Sequence, residues 1–280
     1  MENGIILIDK DKGMTSRDVD NKLGKILKTK HIGHLGTLDP FATGLLIIGV
    51  NKGNKCLSYI DDSKKTYIAS LILGEKTTTG DPEGEIIETM PVPVVTDKEI
   101  SAVLDSFIGK SMQIPPMTSA IKVDGKPLYK LAHKGKEIER KPREIEVFEI
   151  KLIFRLGKQI DFLVTVSKGT YIRTLAEDIA SRLNCVGHLE GLRRLKIGNV
   201  SLVNSHTLEE FEPSQIINPL DFISLPKIKL SEKESVKVKN GVRLNLDSNE
   251  DKVCLVFNDE AIAIYSKDED GTYKSERGLF

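Results

Sequence analysis

The sequence predicts an α+β protein with a large body and a small β-rich tail, and three observations lead there. Apolar runs of strand length, Gly4 to Asp9 and Leu45 to Val50, are interleaved with segments whose apolar residues recur at helical spacing. Ile145 to Phe154 and Ile160 to Val166 read as two strands of one sheet joined across Gly157. After Pro226 the pattern changes to short strands and turns rich in Asn, Asp and Gly, which puts a domain boundary near residue 224 and divides the chain into 1–224 and 225–280. A tail of about 55 residues is near the lower limit for independent folding and is expected to pack on the body.

The first strand ends in the polar turn Lys10-Asp11-Lys12-Gly13, and a helix follows with Thr15 or Ser16 as its cap and Val19, Leu23, Ile26 and Leu27 on its apolar face. Residues 31–44 hold three glycines and a proline with no helical or strand period, and so read as a loop of the kind that carries function. Tyr67 to Leu73 alternates as a strand does, and Asp81-Pro82-Glu83-Gly84 is turn chemistry. Ile100 to Ile108 fits a short helix after a Thr96 cap. From Gln113 to Arg143 the composition shifts to Pro, Lys and Gly, as expected of an exposed excursion. Ile172, Leu175, Ile179 and Leu183 form a helix seam, and in the tail Val236 to Val238, Val253 to Phe257 and Ala261 to Tyr265 read as strands.

The composition excludes several classes. With 39% hydrophobic and 29% charged residues in 280, the chain has a core to bury and is not of the disordered kind. Its longest apolar runs fall far short of the roughly 18 residues of a membrane-spanning helix. The N-terminus shows no signal-peptide pattern, and a soluble cytoplasmic protein is the expectation. Cys56, Cys185 and Cys254 are odd in number and widely spaced, so they are expected as buried thiols and not as a disulfide framework or zinc ribbon. The formal net charge is zero, yet residues 122–196 carry 17 Lys+Arg against 10 Asp+Glu while residues 61–121 carry 5 against 10. The basic block is a candidate polyanion surface.

Three sites compete for the chemistry. Asp9-Lys10-Asp11 after an apolar strand resembles the nucleophile motif of haloacid-dehalogenase-like phosphatases, but the only approach to the second acidic pair such a site needs is Gly80-Asp81, preceded by three threonines. His31 and His34 are three apart without a third ligand cluster, and no metal site is expected. The sharper candidate is Asp39, held between Gly36 and Pro40, because proline restricts both its own backbone and that of the residue before it. A second constellation, Ser167 to Arg173, sits where a strand passes into a helix. Arg173 falls in that helix's first turn, where the dipole disfavours a cation and an anion is needed in compensation. Asp39 is the expected partner.

These residues resemble the TruB-type tRNA pseudouridine synthases. Gly33-His34-Leu35-Gly36-Thr37-Leu38-Asp39-Pro40-Phe41-Ala42-Thr43-Gly44 is similar to the family's signature loop, and Lys65-Thr66-Tyr67 to a segment that supplies an active-site tyrosine. Pro115 to Lys122 and Gly125 to Arg143 are similar to the RNA-binding excursion, Ser167 to Arg173 to the segment supplying a tyrosine and an arginine, and Gly187-His188-Leu189 with Leu192-Arg193-Arg194-Leu195 completes the order. The resemblance runs from about residue 3 to 222, and the tail is similar to a PUA-like domain. The chain departs from the pattern at Asp11, Thr78 and Thr118, where the family commonly has Pro, Asp and Tyr.

The resemblance implies a pseudouridine-synthase fold, with a central mixed, largely antiparallel sheet flanked by helices. It implies an isomerase that converts uridine 55 in the TΨC loop of tRNA to pseudouridine, without cofactor or metal. Asp39 is implied as nucleophile, at uracil C6 or at C1′, Arg173 as the group keeping it ionised, and Tyr67 as the ring that stacks on the flipped base and assists proton removal. Tyr171, His34, Leu192 and Lys10 are implied as substrate-binding residues, with His34 occupying space the flipped nucleotide leaves. The implied partner is the TΨC stem-loop, with no membrane and no obligatory protein partner, for a monomer. A non-catalytic RNA-binding chaperone would use the same basic block, and the intact set Asp39, Tyr67, Tyr171 and Arg173 argues against it.

Overall fold

The computed structural model describes residues 3–119, 122–123, 126–128 and 138–279. Of the excursion expected between Gln113 and Arg143, residues 120–121, 124–125 and 129–137 therefore lie outside the described residues. Two compact units emerge, each assembled from separate stretches of chain: 1–39, 45–62 and 198–280 form one, and 40–44 and 63–197 the other.

The first unit is built on β1 (Gly4–Lys10), α1 (Ser16–Ile26), β2 (Ile32–Leu35), β3 (Thr43–Val50, from Leu45 onward) and α2 (Lys52–Cys56). β1 lies beside β3, and β2 pairs antiparallel with β3 in the register Ile32 to Val50 and Leu35 to Ile47. Ile6 and Ile8 of β1, Val19 and Leu23 of α1 and Leu46, Ile48 and Val50 of β3 form one core with Phe211. α1 begins where its sequence requires. The Thr15 side chain accepts from the Asp18 N–H, and the Asp18 carboxylate accepts from the Thr15 N–H at 2.9 Å, so two orphan donors of the first turn are satisfied.

β13 (Val200–Ser201) also lies in this unit, and the tail adds β14 (Lys227–Lys229), α5 (Glu232–Lys239), β15 (Lys252–Phe257), β16 (Glu260–Lys267) and β17 (Tyr273–Gly278). Its four-stranded sheet runs β14-β15-β16-β17. Along β15, Val253 and Leu255 face a core with Val238, Leu244, Tyr265 and Tyr273, while Cys254 and Val256 face another with Cys56, Ile223, Ile264 and Leu279. The period of two thus buries both faces of one strand, and the tail packs on the body as expected. One element differs from the sequence reading. Val236 to Val238 lie in α5 and not in a strand, because Ser231 and Glu234 close a capping box ahead of them and only Val238 of the two is buried.

The second unit holds β4 (Lys64–Leu73), β5 (Glu75–Thr77), β6 (Ile86–Thr89), α3 (Asp97–Asp105), β7 (Gly109–Gln113), β8 (Lys122–Val123), β9 (Lys126–Pro127), β10 (Arg143–Leu156), β11 (Gln159–Ser167), α4 (Ile172–Arg182) and β12 (Gly187–Ile197). Its strands run β12-β4-β11-β10-β7, all antiparallel, and Thr43 and Gly44 pair with Arg193 and Arg194 in the parallel sense. This is the mixed, largely antiparallel sheet expected from the sequence. Alternate residues of β4 and β11 are buried, with Tyr67, Ala69 and Leu71 on one strand and Phe162, Val164 and Val166 on its neighbour. α4 covers β12 and β4 with Ile172, Leu175, Ala176 and Ile179.

A prediction follows for the start of α1. Thr15→Ala removes one partner of the capping box and is expected to cost about 1 kcal/mol, read as a lower urea midpoint at unchanged slope.

Candidate active site

The Asp39 loop is held on the side that precedes it. β2 ends at Leu35, where the sequence alone suggested loop, and Gly36 turns the chain at φ +74°. Leu38 is buried, its N–H donates to Ser16 Oγ at 2.9 Å, and Ser16 Oγ donates to its carbonyl at 3.2 Å. The residue before Asp39 is thereby tied at both backbone groups to the first residue of α1. Asp39 itself is half-buried. His34, on β2, sits with Nδ1 2.9 Å from the Asp20 carboxylate of α1 and Nε2 3.3 Å from Thr37 Oγ1. Lys10 is fully buried and donates to the carbonyls of Asp11 at 2.9 Å and Met14 at 2.7 Å, fastening the turn that leads into α1.

Beyond Asp39 the loop enters the second unit, where Phe41 and Ala42 are buried and Gly44 meets β12. Gly44 has φ +100°, and a Cβ there would lie 2.3 Å from the Arg194 carbonyl oxygen, so only glycine fits on both counts. Arg194 pairs across the sheet with Tyr67 of β4. Its guanidinium is wholly buried and hydrogen-bonded to Tyr67. Burial pulls the Arg194 pKa below the usual arginine value, against which Tyr67 acts through its charge interaction and its hydrogen bond.

Arg173 sits second in α4, after the N-cap Tyr171, and is buried. Its Nη1 donates to Asp81 Oδ2 at 3.1 Å, to the Thr79 carbonyl at 3.0 Å and to Thr118 Oγ1 at 2.5 Å, and its Nη2 to the Thr118 carbonyl at 2.9 Å. The sequence pointed to Asp39 as the anion for this cation. Asp39 belongs to the other unit, and within its own unit Arg173 meets the buried carboxylate of Asp81. Asp81 accepts further bonds from Thr79 Oγ1 at 2.5 Å and the Glu83 N–H at 3.0 Å. The carboxylate that might have completed a phosphatase-like metal site is thus committed to an arginine. The backbone of Tyr171 is fixed by Gln113, which accepts from its N–H at 2.8 Å and donates to its carbonyl at 3.0 Å. Leu192 lies on β12 opposite Ala69 and is partly exposed.

Residues 24–172 match the TruB family pseudouridylate synthase N-terminal domain. The chain belongs to the TruB family. Residues 173–220 match the tRNA pseudouridylate synthase B C-terminal domain. A tRNA pseudouridine synthase B of Oenococcus oeni is 42% identical over 100% of this chain and 98% of its own length. That of Opitutus terrae is 44% identical over 75% of this chain and 87% of its own, and that of Streptococcus agalactiae serotype III 38% identical over 95% and 96%. Among solved structures, a Cbf5-Nop10-Gar1 complex aligns at TM-score 0.75 and 23% identity over 99% of this chain and 85% of that one, which shows the shared fold. The TruB-family chain is an isomerase, and the fold expected from the sequence is the one observed.

Gln113 and Asp20 were not singled out from the sequence, and Asp81 and Arg194 were noted there without the partners they have in the structure. Asp81 was read as a turn residue and as the only approach to the second acidic pair of a phosphatase-like site, and its local bonds to Thr79 and Glu83 are those of a turn; nothing in the sequence pointed to an arginine 92 residues away. Replacing Asp81 by Asn takes a charged partner from the buried Arg173 guanidinium. Asp81→Asn is expected to lower stability by roughly 3 kcal/mol or more, as breaking one side of a buried pair does, checked by urea unfolding.

Proposed function

We propose that this chain isomerises uridine 55 in the TΨC loop of tRNA to pseudouridine, with Asp39 as nucleophile on a flipped-out nucleotide. The observation that carries the reading is the Asp39 loop, a half-buried carboxylate whose preceding residue is fastened to Ser16 by both backbone groups within a segment that matches the TruB family. Relatives at 38–44% identity that bear the name tRNA pseudouridine synthase B support tRNA as the substrate.

The reaction is redox-neutral. The N1–C1′ bond breaks, the uracil turns, a C5–C1′ bond forms, C5 loses a proton and N1 gains one. A carboxylate fixed before substrate arrives avoids the cost of ordering it during the reaction. Flipping costs a few kcal/mol, of which stacking on an aromatic ring recovers about 1–3 kcal/mol. Tyr67 has that ring, and the Arg194 cation hydrogen-bonded to its hydroxyl favours the phenolate, the form that takes the C5 proton and becomes the neutral phenol. We assign Arg173 to the electrostatic support of Asp39, Tyr171, Leu192 and His34 to the nucleotide pocket, and Lys10 to holding the loop's foundation. Residues 1–224 carry this chemistry and 225–280 serve as an accessory RNA-binding domain. We assign the enzyme to the cytoplasm, as a monomer; no described helix is long and apolar enough to cross a membrane.

Two substitutions test the assignments, with tritium release from a TΨC stem-loop labelled at uridine C5. Asp39→Asn is expected to abolish release while stem-loop binding stays within a few-fold of wild type, and near-normal release would refute the nucleophile. Tyr67→Phe keeps the ring and loses the hydroxyl, so binding is expected to persist while release falls on the order of a hundredfold, the scale of a lost general base.

A further inference from the structure

α1 buries Ser16, Val19, Asp20 and Leu23, a helical stripe in which one member is a carboxylate. Asp20 is 1% exposed. An apolar side chain would complete that stripe at no cost in desolvation, whereas a buried carboxylate has to be repaid by partners. Its partners are few. Oδ2 lies 2.9 Å from His34 Nδ1 and 3.4 Å from Arg17 Nη1, and the Arg17 side chain is 71% exposed, where an ion pair contributes little. Oδ1 is buried with no hydrogen-bond partner among the described residues. The fold does not repay Asp20 in full, and its one close contact is an imidazole on the strand that leads into the Asp39 loop.

The geometry points to Asp20 as a positioning residue that acts on RNA through His34. A carboxylate can only accept, so the His34 nitrogen facing it carries a proton, and in the neutral ring that proton is the single one, which leaves Nε2 bare and directed at Thr37 Oγ1, 3.3 Å away on the exposed part of the loop. Nε2 then accepts a hydrogen bond from Thr37 in the free protein and from a donor on the RNA, a ribose 2′-hydroxyl or base N–H, in the complex. His34 stands five residues before Asp39. Setting its ring before RNA arrives is the same economy that holds Leu38 in place. The inference rests on the Asp39 loop being the catalytic loop.

The test uses Asp20→Leu, which fills the apolar stripe and frees the imidazole, with Asp20→Asn as a second variant of unchanged shape. In the ring-nitrogen NMR spectrum of histidine-labelled protein, with His34 assigned from His34→Ala, wild type is expected to show a protonated Nδ1 and a bare Nε2. Asp20→Leu is expected to move His34 toward the Nε2-protonated form that histidine favours in water. Its melting temperature is expected not to fall, while kcat/KM on the stem-loop drops about tenfold, the scale of a misplaced substrate-contacting group. Asp20→Asn retains a neutral acceptor and is expected to keep more turnover than Asp20→Leu. In a His34→Ala background the Asp20 change is expected to add no further loss. A loss that persists there, an unchanged ring spectrum, or a fall in melting temperature with normal turnover by the folded fraction would each overturn the proposal. Full turnover by His34→Ala would also overturn it by removing His34 from the site, whereas the catalytic loop stands or falls separately on Asp39→Asn. Replacing 2′-hydroxyls of the stem-loop by hydrogen distinguishes the two donors: a ribose donor makes one such position insensitive to Asp20→Leu, and a base donor leaves every position sensitive.

Discussion

A guanidinium presents five N–H donors and keeps its charge at any pH a protein meets, so an arginine taken out of water obliges its surroundings to supply oxygen atoms. The second unit contains two such residues, Arg173 and Arg194, both nearly free of solvent. Around Arg173 the obligation is met by the Thr79 carbonyl, the Asp81 carboxylate and both oxygens of Thr118, which fixes where the turn after β5 and the segment after β7 must lie relative to α4. Around Arg194 it is met in part by Tyr67, directly opposite on the neighbouring strand. Apolar residues of similar volume at such positions are often neutral or stabilising. Two buried arginines, one opposite Tyr67 on the neighbouring strand and one in the helix that Tyr171 caps, therefore mark a region arranged for charge, with the packing built to accommodate it.

The same economy governs the Asp39 loop, which has little regular structure of its own and is held by its ends. Before Asp39, Ser16 ties Leu38 through two hydrogen bonds. After it, Gly44 presses its backbone against that of Arg194 so closely that no side chain fits. Pro40 removes a further backbone freedom between the two anchors. A carboxylate so restrained loses little conformational entropy on meeting a substrate.

Local chemistry was legible where local rules decide the outcome. Thr15 and Thr96 capped the helices expected of them, and alternation along β4 and β11 identified strands whose alternate residues are indeed buried. The reading failed where two local rules compete. Val236 and Val238 are spaced like a strand face, but the Ser231–Glu234 box ahead of them commits the segment to a helix. Ile32 to Leu35 holds too few apolar residues to signal a strand and becomes one by pairing with β3. In the site, Asp39, Tyr67 and Arg173 stood out by motif, while Asp81, Asp20 and Gln113 gain their meaning from partners 92, 14 and 58 residues away. Such pairings are set by topology, and a single sequence carries no local trace of them.

The tail shows how topology extends the body's own core. A four-stranded sheet of this length has too little apolar surface to stand alone, and β15 resolves the deficit by using both of its faces. Val253 and Leu255 close one core within the tail, while Cys254 and Val256 close a second with Cys56 of α2 and with Ile223. That second core keeps Cys56 and Cys254 out of water, and burial pushes their thiols up to about 12 and about 11, far from the thiolate form in which cysteine reacts. Cys56 and Cys254, far apart in the sequence, are thus packing groups in a shared core, and Cys185 is buried in the second unit. The division of the chain near residue 224 marks a change in strand pattern that the hydrophobic core runs straight across.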